Sequence, residues 1–242
     1  MLPHIFNELQ VRRYIWDVID ANSYLLTTDR HGLLIDAVDS PELIHAVSVL
    51  DDLTVILTHC HFDHICGLNL IRKTVPNTTV CSTTLCSENI GKKSKNLSSS
   101  ANAFIAFYMA KRQENSEVLS NNKSIKNIVP FICRPAEQTF EGETILNWQG
   151  HKVKLVQCGG HSKDSLIAIL DDRYMFSGDT LLPIPTVTRF PSGSTAMFWE
   201  ETFPKLMAMT VELVFPGHGE PGKLKDMLAG NQVPERYKVY ES

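Results

Sequence analysis

Four stretches of this chain lead from short apolar runs into residues that bind metal ions, and this arrangement constrains the fold more than any other feature. Residues 53–57 precede His59-Cys60-His61-Phe62-Asp63-His64, and residues 151–157 precede Cys158-Gly159-Gly160-His161-Ser162. Residues 166–170 and 174–176 precede Ser177-Gly178-Asp179-Thr180, and residues 211–215 precede Pro216-Gly217-His218-Gly219. Runs of this length, rich in β-branched and aromatic residues, read as buried strands. Glycine beside His161, Asp179 and His218 permits the tight turns that aim side chains inward at strand ends. The strand ends are therefore expected to converge on one place, which is how a preorganised site is built on a rigid sheet.

The chemistry at those ends is coherent. Neutral imidazoles and carboxylates suit Zn²⁺ and other borderline divalent ions. His59, His61, Asp63 and His64 place three imidazoles and a carboxylate within six positions. His59 and His61 can reach one ion from a short loop, while Asp63 and His64 face a second. His161, Asp179 and His218 add three more ligands from distant parts of the chain. His4, His31, His45 and His151 lack any comparable context and read as surface or core residues.

Composition narrows the alternatives. A chain of 242 residues with 43% hydrophobic and 21% charged content is ordinary for a globular α/β domain, so a single domain over residues 1–242 is expected. A net charge of −4 argues against a nucleic-acid partner, which needs a basic surface; the one concentrated basic run is Lys92-Lys93-Ser94-Lys95. No apolar run reaches the length of a membrane span. The N-terminus, Met1-Leu2-Pro3-His4-Ile5-Phe6-Asn7-Glu8, lacks a secretory pattern, and six irregularly spaced cysteines read as reduced thiols. Both features point to the cytoplasm.

Strands are expected at residues 22–27, 32–36, 54–58 and 78–82. A helix begins at Pro41 behind Ser40 as N-cap. Asp63 and His64 open a second helix running to residues 68–73, and a third lies around residues 197–209. The least regular part is residues 87–139. It opens with a Ser/Lys/Asn-rich stretch (residues 92–100) that reads as a mobile loop. An apolar helix carrying Phe104, Phe107, Tyr108 and Met109 follows, and then a polar run over residues 113–127.

The order HxHxDH, Gly-His, Gly-Asp-Thr and Gly-His-Gly resembles the metallo-β-lactamase superfamily, over residues 22–220. Asn22-Ser23-Tyr24-Leu25-Leu26 and Gly32-Leu33-Leu34-Ile35-Asp36 look like that family's opening hairpin. The resemblance implies an α/β fold, the αββα sandwich, with residues 87–139 as a helical insertion serving as lid and substrate pocket. It implies that His59, His61 and His161 hold one metal and that Asp63, His64 and His218 hold another, with Asp179 bridging. Asp36 would support the histidines from behind. Cys60 would point away from the metals. Asp179 stands where the zinc enzymes known for antibiotic resistance have cysteine, which favours the broader hydrolase branch.

The implied cofactors are two divalent ions, zinc first, with iron or manganese as alternatives. The implied function is hydrolysis of a small ester, thioester or lactone by a metal-bound hydroxide, with Asp63 orienting the nucleophile and moving its proton. Phe104, Phe107 and Tyr108 either line an apolar channel beside the metals or pack the insert's own core. Arg189 either binds a substrate carboxylate or forms a structural ion pair. Competing activities on the same fold are a persulfide dioxygenase with one iron and a phosphodiesterase. The partner is a small molecule, with no nucleic acid and no membrane.

Overall fold

In a computed structural model, which describes residues 4–6, 9–114, 127–231 and 234, two β-sheets face each other between helices. The first sheet runs in chain order through β1 (His4–Phe6), β2 (Leu9–Trp16), β3 (Ala21–Thr28), β4 (His31–Ile35), β5 (Asp52–Ile56), β6 (Thr78–Thr83) and β7 (Gln138–Phe140). The first four strands form an antiparallel meander; β4 to β7 are parallel. Parallel neighbours need crossovers. These carry α1 (Pro41–Val47), α2 (Phe62–Ile65), α3 (Leu68–Thr74), α4 (Thr84–Asn89) and α5 (Ala101–Glu114).

The second sheet contains β8 (Glu143–Trp148), β9 (His151–Gln157), β10 (Leu166–Leu170), β11 (Tyr174–Gly178) and β12 (Leu213–Pro216), in the spatial order β12-β11-β10-β9-β8. Between β11 and β12 run α6 (Thr195–Met197), a π-helical stretch Phe198–Thr202 and α7 (Phe203–Met207); α8 (Leu224–Gly230) follows β12.

Alternation along the strands explains the layering. Tyr24, Leu26, Leu33, Ile35 and Ile56 of the first sheet meet Leu155, Leu166, Ala168, Phe176 and Phe215 of the second in a core between the sheets. Their neighbours Leu25, Leu34, Leu53 and Val55 point the other way, against Leu43, Val47, Leu68 and Ile71 of α1 and α3. Ile167, Ile169 and Met175 likewise face Phe203, Leu206 and Met227 of the opposite helices. Successive strand residues point to opposite faces, and strands covered on both faces read as unbroken apolar runs. Each large side chain so buried contributes about 1.5–3 kcal/mol. This is the αββα sandwich.

Backbone hydrogen bonds stitch the two sheets together at one end. Leu166 N–H donates to Thr58 O (2.8 Å), Asn22 N–H to Gly217 O (2.7 Å), and Ala21 pairs with His218 in an isolated bridge. The carboxyl ends of β4, β5, β9, β11 and β12 open at this seam.

Two local readings differ from expectation. The helix expected from Asp63 to residue 73 is two helices, because Gly67 N–H donates to Ala37 O (2.7 Å) and Val38 O fills the space a Cβ would need. The polar stretch at residues 92–100 is not a solvated loop throughout. Asn96 and Ser98 are buried, with Asn96 Nδ2 donating to Phe131 O (3.0 Å) and Ser98 Oγ to the same oxygen (3.0 Å). Ser40 caps α1 as expected, its hydroxyl accepting from Leu43 N–H at 3.3 Å. Much of the polar run at residues 113–127 lies outside the described residues.

Candidate metal centre

All seven residues singled out as metal ligands meet at the seam. His59, His61, Asp63 and His64 come from the turn after β5 and the first turn of α2, His161 from the turn after β9, Asp179 from the end of β11 and His218 from the end of β12. Ligand atoms of His59, His61 and His161 all lie within 4.8 Å of one another, as do those of Asp63, His64 and His218 and those of His59, His64 and Asp179. Asp179 joins the two halves. Its Oδ1 is 3.4 Å from His64 Nε2, and its Oδ2 is 3.5 Å from His161 Nε2 and 3.6 Å from His218 Nε2. Asp63 Oδ2 is 3.2 Å from His218 Nε2 and 3.5 Å from His64 Nε2.

The imidazoles are oriented from behind. Asp36, just past β4, takes a left-handed φ of 58° that aspartate tolerates better than most residues. Its Oδ1 accepts from Thr58 N–H (2.7 Å), and its Oδ2 accepts from the Thr58 hydroxyl (2.7 Å) and from His64 Nδ1–H (2.8 Å). With its proton committed to Asp36, Thr58 Oγ1 is an acceptor for His59 Nδ1 at 3.1 Å. His161 Nδ1–H donates to Val187 O at 2.7 Å. Each of these bonds commits Nδ1 and leaves Nε2 turned into the site.

Several atoms aimed inward have no hydrogen-bond partner among the described residues: Nε2 of His59 and of His64, and Oδ1 of Asp179. Buried polar atoms are normally satisfied, so these inward-facing donor atoms fit a divalent cation that would displace any imidazole proton. Tetrahedral zinc with bonds near 2.0–2.1 Å brings its ligand atoms to about 3.4 Å from one another. The separations around Asp179 match that spacing.

Burial and charge sort the protonation states. Burial, helped by neighbouring imidazoles, holds His59 well below its ordinary value and lowers His61 to about 4. Burial also lowers His161, against the pull of Asp179. For His64 burial pulls downward, but Asp63, Asp179 and Asp36 together hold it well above the usual imidazole range. His218 is raised in the same way, Asp179 and Asp63 overcoming burial. Burial would raise both carboxyls, yet the surrounding imidazoles hold Asp63 below its ordinary value and Asp179 well below it.

Glycine is required at two points. A Cβ at Gly217 would strike Asp179 Oδ1 and His64 Cε1, and one at Gly178, where φ is 48°, would strike the Thr58 side chain.

The remaining expected residues lie around this cluster in different ways. Cys60 is buried, and its thiol donates to Lys95 O (3.4 Å), away from the ligand atoms. Phe104 of α5 reaches the site indirectly, through Phe190, at 5.6 Å between ring centroids. Phe107 is largely exposed, and the Tyr108 hydroxyl donates to Asp20 (3.0 Å). Arg189 is exposed and makes no ion pair among the described residues.

Three positions that contact the cluster escaped sequence reading. Thr58 stands directly before His59 but carries no mark of its role. Asp164 is wholly buried and accepts from Cys60 N–H (3.2 Å), between two ligands; its only signal is its place three residues after His161. Phe190 covers the rings of His161 (4.9 Å) and His61 (5.2 Å), and only its proximity to Arg189 drew attention to that loop.

A four-layer sandwich with clustered histidines and aspartates at one edge defines a class of metal-site proteins. The metallo-beta-lactamase superfamily model matches residues 16–218, and the chain belongs to that superfamily. A probable metallo-hydrolase of Streptococcus pyogenes serotype M6 is 23% identical over 223 residues, covering 87% of this chain and 84% of that protein. Among solved structures, the BLEG-1 B3 metallo-beta-lactamase superposes with a TM-score of 0.72 at 21% identity, over 91% of this chain and 97% of the other. TTHA1623, solved in a di-iron-bound form, gives 0.64 at 21% identity, over 91% and 98%.

Proposed function

We propose that this protein is a dinuclear metal-dependent hydrolase of a small ester, thioester or lactone. Superfamily membership and the His/Asp cluster support a metal-dependent hydrolase-type function. The observation that carries the two-ion reading is Asp179, one carboxylate within 3.4–3.6 Å of imidazoles from both halves of the cluster. A single ion would leave one trio of inward-facing donors without purpose. The streptococcal relative is named a probable metallo-hydrolase and TTHA1623 holds two irons, which agrees with this reading.

In this reading His59, His61 and His161 hold the first ion, Asp63, His64 and His218 the second, and Asp179 bridges. Five imidazoles and two carboxylates with no thiolate suit zinc first, and iron or manganese next. When bound, such ions lower the pKa of water toward about 7 and polarise a carbonyl oxygen. The chain supplies orientation. Asp63, kept ionised by His64 and His218, is buried beside the part-exposed His218, where it would orient the attacking water and accept its proton. Asp36 and Thr58 fix the histidines. Arg189, exposed on the rim loop, is available to a substrate carboxylate.

The partner in this reading is a small molecule. No helix among the described residues is long and apolar enough to cross a membrane. The six cysteines are free thiols, which suits the cytoplasm.

The test is elemental analysis of protein purified without chelator, followed by an ester, thioester and lactone panel. Two equivalents of zinc or manganese with turnover support the proposal. One equivalent of iron, with oxygen uptake on thiol persulfides, replaces it with the oxygenase. Turnover confined to phosphodiesters replaces it with the phosphodiesterase.

A further inference from the structure

Phe190 sits on a loop tied to the rest of the chain at three points and braced by two bonds of its own. Thr186 N–H donates to Asn231 Oδ1 (2.7 Å), and Val187 O accepts from His161 Nδ1 (2.7 Å). Thr188 and Thr195 hydroxyls meet at 2.8 Å, and Ser194 N–H donates to Gly160 O (2.8 Å). Gly193 N–H donates to Phe190 O (2.9 Å), closing a turn with Pro191 in the position where its fixed φ favours a turn. The Phe190 ring is thus held at 4.9 Å from His161 and 5.2 Å from His61, inclined by 60° and 55°. On its other side it meets Phe104 of α5 at 5.6 Å.

The cluster therefore has two unlike flanks. Asp63 and the part-exposed His218 make one flank polar. Phe190 and Phe104 make the flank over His61 and His161 apolar. Beyond Phe190 the same loop exposes Val187 (44%) and Ile184 (58%), and Phe107 lies one helical turn from Phe104. Among the described residues, large apolar side chains are therefore exposed on both segments that carry this flank, the loop of Phe190 and the helix of Phe104.

We propose that Phe190, backed by Phe104, is the specificity-determining wall of this site, selecting substrates whose acyl group is an extended alkyl chain. This rests on the hydrolase reading above. Phe190 lies against the rings of His61 and His161, so a carbonyl bound on the side of His59, His61 and His161 would set its alkyl substituent against Phe190. The leaving group would then face the polar side of Asp63 and His218.

The experiment uses the zinc-loaded protein with two series: p-nitrophenyl esters from acetate to octanoate, scored by kcat/KM, and the matching carboxylates, scored by calorimetric binding. An alkyl chain half-buried on this wall gains about twofold per methylene, so octanoate exceeds acetate by about 60-fold in each series. Phe190→Ala flattens both slopes, Phe190→Leu retains much of them, and Phe104→Ala gives an intermediate slope. A purely structural role for Phe190 lowers all chain lengths alike and leaves the slope, which overturns the proposal. A flat series in the unmodified protein also overturns it. If Phe190→Ala does not fold, the slopes of Phe190→Leu and Phe104→Ala decide. Carboxylate binding that keeps its Phe190-dependent slope while no ester turns over would sink the hydrolase reading and leave the wall standing.

Discussion

Asp36→Asn should damage one half of the metal centre and spare the other. The Asp36 carboxylate accepts three hydrogen bonds, two from Thr58 and one from His64 Nδ1–H at 2.8 Å. Asparagine adopts the left-handed backbone without added strain and keeps one oxygen for Thr58 N–H. Its amide NH₂ then stands where Oδ2 was, facing two groups that were donors. Thr58 Oγ1 can accept from it and still accept from His59. His64 can satisfy it only by giving up the Nδ1 proton and carrying one on Nε2. That is the atom 3.4 Å from Asp179 and 3.5 Å from Asp63, and its inward lone pair is lost. Loss of such a supporting partner costs about 10–100-fold in metal affinity, or about 1.4–2.7 kcal/mol. Competition against a chromophoric chelator resolves two stepwise constants. The weaker-held ion should be the one bound by Asp63, His64 and His218, with the other constant unmoved. Equal loss at both steps, or at neither, would refute the tautomer argument.

Loading divalent ions near neutral pH should release protons, because nearby carboxylates raise His64 and His218 above the ordinary imidazole range, whereas burial lowers His59, His61 and His161. Calorimetry in buffers of different ionisation enthalpy measures the number, and a value near zero contradicts the charge assignment. Gly217→Ala drives a methyl group into Asp179 and His64, so metal content by elemental analysis should collapse while far-UV dichroism stays near that of the unmodified protein; full retention of both ions would show that the turn can give way. Asp164→Ala strips the acceptor from buried Cys60 N–H, a loss of about 1–3 kcal/mol. For a chain of this size that lowers Tm by roughly 2–12 °C. Its affinity loss should fall on the ion held by His59 and His61, the converse of Asp36→Asn.

The candidate ligands were legible because metal chemistry leaves a local signature. Each is a rare residue type at the end of an apolar run, and strand ends on two facing sheets have one seam at which to meet. The strands carrying Tyr24, Leu26, Leu33 and Ile35 could be read because apolar runs are a property of neighbours in sequence. The parts that stayed hidden depend on what arrives from elsewhere in the chain. Within the segment from Asp63 to Thr74 the one cue to a break is Gly67 itself, and the contacts that fix it come from Ala37 and Val38, about thirty residues earlier. The stretch at residues 92–100 looks solvated by composition. It is buried in part because Phe131, on the far side of residues outside the described set, offers its backbone to Asn96 and Ser98. Asp164 and Phe190 fall in the same class. One is an ordinary polar residue until Cys60 N–H reaches it, and the other an ordinary aromatic until two imidazoles lie beneath it. Metal-binding capacity is therefore written in short motifs that can be read alone. Which tautomer each histidine keeps, and which chain can lie beside it, is decided by contacts between segments far apart in sequence. Substrate preference should accordingly follow the loop at residues 186–195 and α5, even between chains whose ligand motifs are the same.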